Sequence, residues 1–131
     1  MTRDVLTEQV GDLADAVLAD PRFKRDDLTV AVLGMLLYGY ALGIGRLFFF
    51  LDIQDIDASV LCVMTERVGA AVKWSGGLVS EASVAAFNKA HHPGHHELIG
   101  VGHSYISVED RAAVVDNIFA NFESVRRRAG V

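Results

Sequence analysis

The chain has 131 residues, of which 51% are hydrophobic and 22% are charged. This length and composition are typical of one folded domain with a sizeable core and exclude a largely disordered chain. The formal net charge of −5 at pH 7 argues against nucleic-acid binding, which depends on a cationic surface. We therefore expect a single domain over residues 1–131 that binds no nucleic acid.

The cysteine content and the N-terminus bear on the compartment. Cys62 is the single cysteine, so no disulfide can form within the chain. The N-terminal segment is acidic and amphipathic and lacks the apolar run behind a basic head that marks a secretory signal. Both features predict a cytoplasmic protein.

The first predicted element is an amphipathic helix over residues 3–19. Asp20-Pro21 ends it, because a residue before proline is disfavoured in the helical region. One side of this helix carries apolar residues at helical spacing. These are Val5, Leu6, Val10, Leu13, Ala14 and Val17.

The next element is the segment around which the other helices are expected to pack. Leu28–Gly45 is 18 residues long, carries no charge, and is apolar on every side of a helical wheel. Such a helix is buried in a protein core or in a bilayer, and Gly39 and Gly43 form a GxxxG pattern that also occurs in membrane helices. Arg46 interrupts the apolar run, and glycines and tyrosines dilute it. The sequence therefore favours a buried core helix over 28–45 rather than a membrane span.

The two ends of this helix are less well defined. Asp26 or Asp27 supplies the N-cap, where a carboxylate is favoured by the helix dipole. Gly34 and Gly39 are places where another backbone can pack closely. Residues 47–53 fit either a continued helix or a short strand, since a brief apolar run is compatible with both.

A third helix is predicted over residues 58–74, with Asp57 as its N-cap. Ser75-Gly76-Gly77 should stop it, because glycine is the usual residue just after a helix C-terminus. Ser80 then caps a short fourth helix that runs to about Ala90.

Residues 91–106 show no helical period, contain all five histidines, and are predicted to form a long loop. Ser107 begins a capping-box pattern, and the last helix is expected over 108–128. The predicted fold is therefore all-α: a compact bundle of about five helices around the buried, glycine-containing helix 28–45, with a long histidine-rich loop before the last helix.

The histidine-rich segment 91–103 is a candidate metal site, because imidazoles are good ligands for zinc and similar metals. Its spacing matches no established zinc motif, and no thiolate lies nearby in sequence. The alternative is a solvated turn with imidazoles next to a helix C-terminus. A metal-binding or metal-sensing protein, with a divalent ion as cofactor, is thus kept as the alternative function. Its candidate ligands are His92, His95, His96 and His103.

The carboxylates Asp52, Asp55 and Asp57 also resemble a cation site. They lack the glycine and distal glutamate of an EF-hand loop. One of them is better used as a helix cap, and Arg46 is a natural counter-ion. The pattern favours these structural roles over a cation site.

No catalytic motif is present in the sequence. Cys62 would need a base beside it to act as a nucleophile, and the histidines are distant in sequence. A small residue that fills helix packing is the commoner role for such a cysteine. We therefore expect a protein that is not an enzyme and needs no cofactor.

The polar side of the first helix also bears on function, because Asp4, Glu8, Asp12 and Asp15 form an acidic stripe there. Like charges at this spacing disfavour the helix slightly. The stripe is either a solvated face or a docking surface for a basic protein, since complementary charge speeds association. Small acidic helical proteins that neutralise a toxin or a nuclease share this outline of size and charge, although no motif identifies such a family.

We therefore expect a small, non-enzymatic binding protein that acts through a basic protein partner, either as an immunity-type protein or as a regulatory inhibitor. A homo-oligomer that uses the glycine-lined central helix and the flank carrying Trp74 is compatible with this function.

Overall fold

The structure is a computed structural model that describes residues 2–131, and it is all-helical over that range. A π-helical turn at Val63–Arg67 follows the third helix, and a short 3-10 turn at Tyr105–Ser107 follows the fifth. The buried apolar residues come from all six α-helices and form one cluster. The helices are α1 (Thr2–Ala19), α2 (Asp27–Leu47), α3 (Ile53–Cys62), α4 (Val72–Phe87), α5 (Pro93–Ser104) and α6 (Arg111–Ala129).

The predicted central helix is confirmed as α2, which contacts all five other α-helices. Asp26 is its N-cap and accepts a hydrogen bond from the backbone N–H of Thr29. Arg126 of α6 also bonds the Asp26 carboxylate and ties the last helix to the start of α2. Helix α2 is long and apolar enough to cross a membrane, and 83% of its 18-residue apolar window is buried against the rest of the chain.

Helices α2 and α5 approach each other through reciprocal glycines. A Cβ built on Gly39 would lie 1.9 Å from the carbonyl oxygen of Ile99, and one built on Gly102 would lie 2.0 Å from that of Leu36. Each helix therefore needs a glycine where the backbone of the other passes. The close backbone approach predicted at Gly39 is confirmed, but its partner is α5 of the same chain. The face of α2 that carries Gly39 is thus covered by α5.

The third helix differs from the prediction of 58–74. It begins at Ile53, and Asp52 rather than Asp57 caps it by accepting from the N–H of Asp55. Helix α2 ends at Leu47 and α3 begins at Ile53, so the residues between them form neither a continued helix nor a strand.

The end of the third helix was also predicted wrongly. The helix turns into the π-helical turn and stops before Gly69, which has a φ of +81°. Gly69 therefore takes the left-handed conformation that was expected near Gly76 and Gly77. The fourth helix begins at Val72 rather than Ser80 and runs through both of those glycines.

The prediction of a long histidine-rich loop over 91–106 is also wrong. Most of it is helix α5, which His92 and Pro93 start, and the link before it covers only 88–92. Proline suits the first turn because its missing N–H has no partner there. The last helix then begins at Arg111 with Asp110 as its cap, rather than near Ser107.

Candidate functional site

The four carboxylates of the predicted acidic stripe all lie on the exposed side of α1. Arg67 of the π-helical turn reaches two of them: Nη1 donates to Asp15 at 2.6 Å, and Nη2 donates to Glu8 at 3.1 Å. Asp15, followed by Glu8, raises the pKa of Arg67 above its usual value. The stripe is therefore present, but Glu8 and Asp15 are neutralised in part by Arg67 of the same chain.

Gly11 provides the space for this bridge. A Cβ at this position would lie 2.8 Å from the guanidinium carbon of Arg67. The arginine therefore lies flat over the backbone of α1, between the two carboxylates it bonds. This arrangement joins the middle of α1 to the π-helical turn that follows α3.

Helix α3 and its π-helical turn add further carboxylates beside α1. Asp55 lies 3.6 Å from the guanidinium of Arg3. Glu66 is exposed and accepts a hydrogen bond from the Cys62 thiol, with 2.6 Å between Sγ and Oε2. We call the combined surface of the two elements the acidic face. Its carboxylates are Asp4, Glu8, Asp12, Asp15, Asp55 and Glu66, and its cations are Arg3 and Arg67.

Cys62 lies on this face but is poorly suited to nucleophilic chemistry. Its hydrogen bond to Glu66, followed by burial, raises the pKa of the thiol. A raised pKa disfavours the thiolate, which is the reactive form.

Two of the histidines bond one carboxylate at the junction of α4 and α5. His91 Nε2 lies 2.8 Å from one oxygen of Glu81, and His95 Nδ1 lies 2.9 Å from the other. These bonds, with His91 first, hold the pKa of Glu81 below its usual value. Glu81 of α4 therefore ties the end of the link, at His91, and the first turn of α5, at His95, to α4.

His92 and His96 have separate structural roles in this corner. The Nδ1 of His92 accepts from the backbone N–H of His95 and so caps α5, and the two rings stack with centroids 3.4 Å apart. The Nδ1 of His96 lies 2.8 Å from the carbonyl oxygen of Ala85, to which it donates. An unprotonated His92 Nδ1 is needed for the cap, because a protonated nitrogen cannot accept.

His103 lies away from the other three predicted metal ligands. It is in the last turn of α5, where its ring packs on Gly43 of α2. Eight residues of helix separate it from His95, which corresponds to about 12 Å along the axis. The predicted set His92, His95, His96 and His103 is therefore not brought together. Within residues 2–131, no group of three histidine, cysteine, aspartate or glutamate side chains has a geometry that could hold a metal ion.

The three carboxylates that resembled a cation site have three different partners. Asp52 caps α3, Asp55 pairs with Arg3, and Asp57 accepts a hydrogen bond of 2.7 Å from the hydroxyl of Tyr38. The structural roles favoured by the sequence are therefore present. The sequence suggested Arg46 as the counter-ion of these carboxylates, but in the structure Arg3 pairs with Asp55.

The sequence interpretation missed one surface, which we call the aromatic patch. It consists of Leu47, Phe48, Phe50 and Phe87, which are 54, 60, 86 and 56% exposed. Phe50 also has a φ of +55°. This left-handed conformation costs a bulky L-residue about 1–2 kcal/mol. The run of phenylalanines after Arg46 was visible in the sequence, but its exposure depended on where α2 ends.

Comparison with known proteins gives no relative from which a function could be transferred: no family model, no curated protein and no solved structure matches the chain.

Proposed function

We propose that this is a small, non-enzymatic binding protein that recognises a basic protein partner through the acidic face. A protein of this kind acts by covering a surface of its partner, as immunity-type proteins and regulatory inhibitors do. The proposal concerns the whole surface formed by α1, α3 and the π-helical turn, and not the stripe on α1 alone.

The observation that carries the proposal is the concentration of charge on this face. Its six carboxylates and two guanidinium groups leave a net charge of about −4 at neutral pH, against −5 for the entire chain. The rest of the surface is therefore close to neutral overall. A localised field of one sign steers an oppositely charged protein and raises its association rate.

Some carboxylates of the acidic face form ion pairs within the described part of the chain and others do not, which makes the proposal testable. Glu8 and Asp15 are bonded to Arg67 and help to hold α3 against α1. Asp12 is exposed and forms no ion pair with any residue in 2–131, and Glu66 bonds only the Cys62 thiol. Asp12 and Glu66 are thus the positions at which charge can be reversed with little cost to the fold.

The experiment is affinity capture with the purified protein from a lysate of its source cells, followed by measurement of Kd for the captured protein. Reversing both charges, with Asp12→Lys and Glu66→Lys, should weaken binding about tenfold or more and flatten its salt dependence, because the lost attraction is screened by ions. Glu123→Lys on α6 is the matched control, since it is exposed and lies outside the face.

The outcomes separate clearly. A basic protein that is released by salt and by the double reversal, but not by the control, supports the proposal. Equal binding by the wild-type protein, the double reversal and the control, or a partner with no excess of lysine and arginine, overturns it.

The metal-binding alternative has weaker support, because the four predicted ligands are not together and three of them bond to groups within the chain. Elemental analysis of untagged protein decides the question. A near-stoichiometric metal that is lost in His91→Ala and His95→Ala variants would replace the partner-binding proposal with a metal-dependent one.

A further inference from the structure

The aromatic patch lies beside an open groove that is lined by one basic and one acidic side chain. The groove has a volume of about 530 Å³ and is lined by Arg46, Leu51, Asp52, Ile53 and Phe87. The guanidinium of Arg46 lies 5.7 Å from the centroid of the Phe87 ring. Within residues 2–131, neither Arg46 nor Asp52 forms an ion pair, although Asp52 caps α3.

The backbone holds Phe50 outward at a cost. Its left-handed conformation is rare for a bulky residue, and such strain persists only where the surrounding structure enforces it. The Leu51 N–H bonds the carbonyl oxygen of Gly45, which closes the loop and fixes the position of Phe50. Large exposed apolar patches on a folded protein mark interaction sites.

We propose that the aromatic patch is the contact surface for a second copy of this chain. In a two-fold symmetric contact, the same patch of both copies meets. A residue of one copy that contacts a second residue of the other copy is therefore matched by the reverse contact. The phenylalanines of the two copies then pack together at the centre. Arg46 of each copy faces Asp52 of the other, so both unpaired charges gain a partner.

The charge of this surface distinguishes a second copy from other occupants. A basic protein would be attracted to an acidic rim, and an anionic membrane surface to a cluster of cations. The groove instead carries one charge of each sign, which is the balance that self-complementary pairing requires. The contact uses the end of α2, the start of α3 and the end of α4, and none of its residues belongs to the acidic face, so it does not depend on the proposed function of that face.

The first test is the mass of the purified protein in solution, measured by sedimentation equilibrium over a wide range of concentration. We expect a reversible monomer–dimer equilibrium. Phe50→Gly should raise the dissociation constant at least about tenfold, because it removes a central aromatic anchor. Glycine also tolerates the positive φ, so the variant monomer should melt no earlier than the wild-type monomer when both are diluted below the dissociation constant.

Val72→Ser is the matched control, because Val72 is 69% exposed and lies outside the patch. A wild-type protein that stays monomeric at every concentration overturns the proposal. So does a dimer whose dissociation constant is equally insensitive to Phe50→Gly and Val72→Ser. Binding of the monomer to neutral phosphatidylcholine vesicles, lost in Phe50→Gly, would identify lipid as the occupant and also overturn it.

The second test is a charge exchange across the two-fold axis. Arg46→Asp and Asp52→Arg should each weaken the dimer, because each variant places like charges opposite each other. An equimolar mixture of the two should form a heterodimer, since every opposed pair in it is again of opposite sign. Melting of each variant as a monomer measures the loss of the Asp52 cap separately. Failure of the mixture to associate more tightly than either variant alone contradicts the proposed pairing.

Discussion

Gly39→Ala is the substitution that should damage the fold most for the smallest chemical change. The added Cβ would lie 1.9 Å from the carbonyl oxygen of Ile99 and 2.8 Å from the backbone nitrogen of His103. Ordinary contacts of this kind need more than 3 Å, so α2 and α5 must separate by about 1 Å or more. Backbone atoms on both sides cannot rotate away, which distinguishes this site from one that faces a flexible side chain.

The cost follows from the contact that opens. Overpacking a core by one methyl group usually costs 1–3 kcal/mol. Because a gap of about 1 Å removes up to half of each dispersion contact along the helix pair, we place Gly39→Ala at about 3 kcal/mol or more. The assay is urea unfolding followed by circular dichroism, compared at constant m-value.

The control is Gly100→Ala on the same helix pair. A Cβ at Gly100 meets nothing within 4 Å, so this variant should gain about 0.5–1 kcal/mol from the better helix propensity of alanine. A Gly39→Ala protein that loses less than about 1 kcal/mol would refute the close approach of the two helices.

Three further predictions concern other elements. Gly77→Ala should stabilise the protein by about 0.5–1 kcal/mol in thermal or urea unfolding, since Gly77 is inside α4 and an added Cβ meets nothing within 4 Å; a loss of stability would mean that α4 does not run through this position. Asp26→Ala should cost about 1–2 kcal/mol through the lost cap and the lost bond to Arg126, measured against Asp27→Ala, which caps nothing. Glu81→Gln should cost roughly 0.5–1 kcal/mol at neutral pH, where the carboxylate bonds His91 and His95. Because the folded pKa of Glu81 is lowered, the wild-type advantage is full above the unfolded pKa near 4.5 and is lost as pH falls through the folded value; an advantage that persists unchanged in acid contradicts it.

Some structural elements could be predicted from the sequence, because each of them depends on a single local rule. Asp20-Pro21 ends α1, and the uncharged run after Asp26 and Asp27 forms a buried helix. Asp26, one of the two candidates, is the cap. The acidic stripe could also be predicted, because the helical period determines which side chains share a face.

Helix α5 was missed because a glycine occupies a position on its buried side. Leu98, Ile99 and Gly102 are buried there, and Gly102 replaces the apolar side chain that would have completed the period. Its role is fixed by the backbone of α2, which no local pattern reveals. His92 as an N-cap is a second reason, since histidine is not among the usual capping residues.

The glycine that ends the third helix could not be identified from the local sequence either. Gly69, Gly76 and Gly77 are all compatible with a helix end, and only the left-handed backbone at Gly69 selects it. The pairing of Arg67 with Glu8 and Asp15 spans more than 50 residues, so the partial neutralisation of the acidic stripe could not be predicted. These features depend on contacts between elements distant in the chain.

The proposed docking surface is tested most directly by a photo-reactive amino acid placed on the acidic face in living cells. Ala19 is exposed and lies one helical turn beyond Asp15, so replacing it keeps every carboxylate. Ala113 on α6 is exposed and lies outside the face, which makes it the control. Our account predicts a covalent adduct with a basic protein from position 19 and none from position 113. Adducts from neither position, or equally from both, would contradict it.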